Sequence, residues 1–142
     1  MAQPVKIDEY AAAETSVLVH CCAADPPIAL AHEAGARGVL VDLDRLKHAD
    51  WDVVGASLED GRWIGLGALP TAAGSDLTSL GPDEVARRVL TPLRSLGLDP
   101  DRTAQLLLSP ACGLAGAGAL GAVTALRTVR NAAAIVTEQL AS

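Results

Sequence analysis

The 142-residue chain carries a formal charge of −6, 50% hydrophobic side chains and a mean hydropathy of +0.30. That balance excludes a disordered acidic tail and a basic nucleic-acid binder, and leaves one acidic globular domain. Two Trp, one Tyr and no Phe offer almost nothing for bases to stack on, so nucleic acid is not an expected partner, and no run approaches the ~20 apolar residues that cross a bilayer.

Met1 to Tyr10 places acidic residues ahead of any hydrophobic stretch and lacks the basic and apolar regions of a signal peptide. The expected compartment is the cytoplasm. There, Cys21, Cys22 and Cys112, an odd number, make no disulfide framework and are better read as thiols available for chemistry. Residues 1–15 are read as an N-terminal extension and 16–142 as the folded domain.

In chain order, Ser16 to Cys22 is a short β-rich run, and Ile28 to Ala34 follows Pro26-Pro27 as a helix stopped at Gly35. Gly38 to Leu43 is a near-continuous apolar run, as in a strand buried on both faces, and Asp50 to Leu58 is a short helix ending near Gly61. Arg62 to Leu69 is the third strand, and a Gly/Ser/Thr loop spans Pro70 to Leu80. Pro82 then opens a helix to Leu96, with Glu84, Arg87, Arg88 and Arg94 on its wet side. Thr103 to Ser109 is the fourth strand, and a long helix begins near Ala119.

This alternation predicts an α/β fold of four strand-helix units with a parallel sheet. A closed (β/α) barrel takes ~250 residues, so four units make half of one. Two unpaired edges imply a partner: the remaining barrel half or a second copy of the chain.

Three stretches could carry chemistry. In His20-Cys21-Cys22 the alternation of strand side chains puts His20 and Cys22 on one side and Cys21 on the other. This pair, Asp42 and Cys112 all fall at the carboxyl ends of strands, where α/β active sites lie. Together His20, Cys22, Asp42 and Cys112 suit Zn²⁺, which takes N, S and O ligands tetrahedrally. The alternative is a hydrogen-bonded core histidine with small buried cysteines. Cys112 also lies in Ser109-Pro110-Ala111-Cys112-Gly113-Leu114, a tight turn that presents its thiol. Gly116 to Gly121 matches G-x-G-x-x-G, but no second strand ending in an acid follows, so these glycines read as a helix entry.

Strands one and four of a flat sheet would stand about 14 Å apart. A shared metal therefore requires a curved sheet with the turn Pro110 to Gly113 folded inward, or a site completed by the other half.

Taken in order, VLVHCCA (Val17 to Ala23), GVLVDLDRL (Gly38 to Leu46), WIGLGALPT (Trp63 to Thr71) and SPACGLAG (Ser109 to Gly116) resemble the C-terminal catalytic half of the cobalamin-independent methionine synthase family, in its short bacterial form. The resemblance implies the C-terminal half of a TIM-like barrel, of a superfamily shared with uroporphyrinogen decarboxylase. It further implies a catalytic zinc on His20, Cys22, Asp42 and Cys112, and methyl transfer from a 5-methyltetrahydrofolate-type donor to homocysteine. Asp42, followed by Arg45, stands where the family has a glutamate, with Asp44 and Glu59 as fallback ligands. The loop Leu69 to Asp76 holds no histidine where the family's methionine synthases place a catalytic one. Methyl transfer from a corrinoid or other donor to a different thiol, a catalytically incomplete domain with structural zinc, and a metal-free decarboxylase-like member are the competing readings.

Overall fold

The computed structural model describes residues 16–72 and 76–142. The segment read as an N-terminal extension and residues 73–75 of the loop after strand three lie outside the described residues. Eight main elements alternate: β1 (Leu18–Cys21), α1 (Ile28–Glu33), β2 (Gly38–Asp42), α2 (His48–Glu59), β3 (Trp63–Leu69), α3 (Pro82–Ser95), β4 (Leu106–Pro110) and α4 (Gly118–Ala141). The strands form one parallel sheet in the order β1-β2-β3-β4. The fold is α/β, four strand-helix units of a partial TIM-like barrel.

Local chemistry accounts for the element ends. Pro82 opens α3 with Asp83 and Glu84 in the first turn and Arg94 in the last, an order that complements the helix dipole. Its Val85, Ala86, Val89, Leu90 and Leu93 turn inward. The α2 helix begins two residues before the expected Asp50, because the Asp50 carboxylate accepts the Lys47 amide hydrogen at 2.7 Å and closes the first turn from inside. Strand β4 begins at Leu106 rather than Thr103, because Pro100–Thr103 is wound into a 3-10 turn capped by Asp99, whose side chain accepts the Asp101 amide at 3.2 Å.

Alternate residues of β2 and β3 enter a sealed core against the helices. Val39, Val41, Ile64, Leu66 and Ala68 meet Val54 and Leu58 of α2, Val85 and Val89 of α3, and Ala125 and Ala132 of α4, all at most 1% exposed. Among the described residues β1 and β4 are the outer strands. Leu18 on β1 is 40% exposed, and Leu106, Leu107 and Leu108 of β4 line an open groove against α4. No described helix is long and apolar enough to cross a membrane.

Candidate metal centre

His20 lies on β1, and Cys22 follows the last β1–β2 pair, Cys21 with Val41. The period of two sends His20 and Cys22 to the sheet face opposite the helices, where Leu18 and His20 are exposed while Val19 and Cys21 are half-buried. Cys112 arrives from the far side of the sheet, after β4, three strands across. The register of β3 and β4 slips between Gly67 and Leu69, so that Ser109 pairs with Gly67 but Pro110 pairs with Leu69. The Ala111 amide then donates to the Leu69 carbonyl at 2.9 Å, and the chain crosses onto the open face.

Gly67 makes that crossing possible. A Cβ at this position would lie 2.6 Å from Ala111 Cα and 3.0 Å from the Val41 carbonyl oxygen, closer than atoms can pack. Glycine inside a strand commonly marks a close approach of backbone, and here the turn after β4 settles where the side chain would be. Cys22 Sγ and Cys112 Sγ end 3.4 Å apart. One ligand atom from each of His20, Cys22 and Cys112 lies within 4.8 Å of the others. The inward-folded turn that a shared site requires is the arrangement found.

The two thiols share a hydrogen bond. Their hydrogen bond, and the repulsion two thiolates would suffer at that distance, hold the Cys22 thiol above its ordinary range. Without a cation Cys22 favours the protonated thiol. A divalent cation among one imidazole and two sulfurs reverses that preference, since coordinated thiols are deprotonated. The three side chains are close enough together to bind a metal ion.

Other residues singled out in the sequence stand elsewhere. Asp42 ends β2, opposite Gly67 of β3, and its carboxylate is not among the converging atoms. Oδ1 accepts the Asp44 amide hydrogen at 3.0 Å, and Oδ2 lies 3.9 Å from Arg45 Nε. Asp44 pairs with Arg88 of α3 at 2.5 Å, which makes Arg88 half-buried rather than part of a wet helix face. Glu59 closes α2 beside the start of β3, away from the carboxyl ends of the strands. His32 is buried in α1 and His48 is the exposed first residue of α2. Gly118, at φ +66°, starts α4 and gives the glycine-rich stretch its place as a helix entry. Gly67 and Ala111 are the residues missed as part of the site. The signal was Gly65 and Gly67 at a spacing of two within an otherwise apolar strand.

Four parallel strand-helix units, with an imidazole and two thiols gathered at the strand ends, define a barrel-type α/β domain with a site able to take a metal ion. The family model for the cobalamin-independent synthase catalytic domain matches residues 2–135, and the chain belongs to that family. No curated protein and no solved structure matches.

Proposed function

We propose that the chain carries the zinc-binding, thiol-activating part of a methyltransferase that moves a methyl group from a 5-methyltetrahydrofolate-type donor to homocysteine. The observation that carries this reading is the convergence of His20, Cys22 and Cys112 in a chain of the cobalamin-independent synthase family. The donor set suits Zn²⁺ by softness and by spacing. Tetrahedral zinc with its usual bond to sulfur separates two thiolates by about 3.8 Å, so the 3.4 Å pair needs to open only slightly.

When bound, zinc lowers the pKa of a substrate thiol so that it enters as a thiolate nucleophile. The chain's own residues build the place for it. His20 and Cys22 are held by the pleat of β1, and Cys112 is delivered by the turn that Gly67 admits. Exposure of His20 and Cys112 leaves the site open to an incoming thiol. As the sulfur–methyl bond forms, the methyl–nitrogen bond of the donor breaks and that nitrogen takes up a proton. Contacts to the amino-acid and folate parts of the substrates belong to the remaining half of a barrel, on another segment or a second copy. The reaction belongs in the cytoplasm, whose reducing environment keeps these sulfurs as thiols.

The test is zinc content of the purified chain and of Cys22→Ser and Cys112→Ser, with homocysteine added to the cobalt-substituted protein. One zinc per chain, lost in both variants, and a cobalt spectrum that changes with the thiol are expected. Zinc retained by both variants would sink the shared site. An unchanged cobalt spectrum would make the metal structural.

A further inference from the structure

Asp42 occupies the carboxyl end of β2, one strand from Cys22 and at its level, since the preceding residues Cys21 and Val41 are paired. A carboxylate so placed invites assignment as a metal ligand, but its one hydrogen bond and its ion pair point elsewhere. Oδ1 accepts the Asp44 amide hydrogen at 3.0 Å, as the N-cap of the turn Leu43–Arg45, and Oδ2 faces Arg45 Nε at 3.9 Å. Each oxygen already has a partner on its own strand-to-helix corner. The atoms that do converge come from His20, Cys22 and Cys112.

We infer that, among the described residues, a cation bound here takes its ligands from His20, Cys22 and Cys112, and that Asp42 is a positioning residue that fixes the β2 corner beside Cys22. The inference rests on the metal-site reading above. Charge does not require a third anion, because two thiolates balance a divalent cation. Turning Asp42 inward would strip the Asp44 amide of its acceptor and draw the carboxylate away from Arg45. Arg45 is then left without the partner that holds it at this corner. Three protein donors also leave the fourth tetrahedral position to an external donor, so a substrate thiol enters without displacing a side chain.

The probe is Co²⁺ bound to the full chain, read by its d–d and thiolate charge-transfer absorption and by competition with a chelator. Asp42→Asn keeps a side-chain oxygen that can cap the Asp44 amide, whereas Asp42→Ala does not. The expected result is one Co²⁺ with unchanged bands in both variants, a lowered melting temperature in Asp42→Ala, and its recovery in Asp42→Asn. Cobalt bands that move in Asp42→Asn, or affinity that falls by about tenfold or more, overturn the inference. In that case cobalt binding that is still lost in Cys22→Ser and Cys112→Ser leaves the metal-site reading standing. Absence of cobalt binding in the unaltered chain removes both together.

Discussion

The two faces of the sheet are built from opposite residue types, and β3 shows the contrast within one strand. Ile64, Leu66 and Ala68 face the helices and are fully buried among branched side chains. Gly65 and Gly67 face the other way, and there the absent side chains are replaced by neighbours: Leu40 lies over Gly65, Ala111 over Gly67. Alternate residues of a single strand thus hold the fold on one side and shape the site on the other. The faces separate under mutation. Leu66→Ala empties space inside the sealed core and is expected to cost about 2–5 kcal/mol in urea unfolding, while the folded fraction keeps its full metal content.

Gly67→Ala tests the opposite face. The added methyl meets backbone at 2.6 Å, and backbone cannot rotate away as a side-chain tip can. The turn Pro110 to Cys112 must lift, with an expected loss of about 1–3 kcal/mol. Its diagnostic effect is on the site: Cys112 is expected to move away from Cys22, and the thiolate-to-cobalt absorption to fall as expected for Cys112→Ser. A Gly67→Ala protein with undiminished absorption would mean that the turn reaches Cys22 without the space glycine provides.

This division explains what could be read from the amino acids alone. Strands β2 and β3 were legible because their apolar runs are continuous, and His20 with Cys22 because strand periodicity is local. Cys112 was legible as a presented thiol, but its path to Cys22 depends on a register slip and on a missing side chain on the neighbouring strand. Neither leaves a signature in the residues around Cys112. Asp42 is legible in position but not in direction, for a related reason. Its position on β2 is set by periodicity, whereas the direction of its carboxylate is set by the Asp44 amide and Arg45, contacts that form only once the chain turns into Leu43–Arg45. The start of β4 was read three residues early because leucine and threonine content does not reveal that Asp99 and Pro100 wind the chain before it extends.

A smaller effect is expected where the site-bearing end of the sheet is tied to its helices. Asp44 follows β2 and Arg88 lies on α3, and their 2.5 Å pair joins the corner beside the candidate metal centre to the helix layer. Arg88 Nε is buried without a partner among the described residues, so removing the carboxylate leaves a guanidinium still less satisfied. Asp44 is half exposed, and water takes up much of the loss. Asp44→Ala is expected to cost about 0.5–1 kcal/mol, less in concentrated salt. An unchanged urea midpoint at low salt would show that the pair does not join the two layers.

The smallest expected effect lies in the helix layer, remote from the candidate metal centre, and is a pH dependence. His32 is 8% exposed in α1, and its Nδ1 lies 3.2 Å from the Ala36 carbonyl oxygen. A carbonyl only accepts, so Nδ1 carries the hydrogen of the neutral ring. Nε2 is buried with no partner among the described residues, and protonating it would add a donor with none of them to receive it. Burial accordingly lowers the His32 pKa below its ordinary 6.5, with the Ala36 carbonyl opposing in part. A depressed histidine binds fewer protons folded than unfolded, so its contribution is full above pH 6.5 and declines as pH falls toward the folded value. Urea unfolding between pH 7.5 and about 5, above most carboxylate titrations, should therefore show stability falling with acidity in the unaltered chain. His32→Gln, which cannot gain a proton, should flatten that slope while costing some stability at every pH. Equal slopes in the two proteins would mean that the imidazole charges freely inside the helix layer and that Nε2 finds an acceptor when it does.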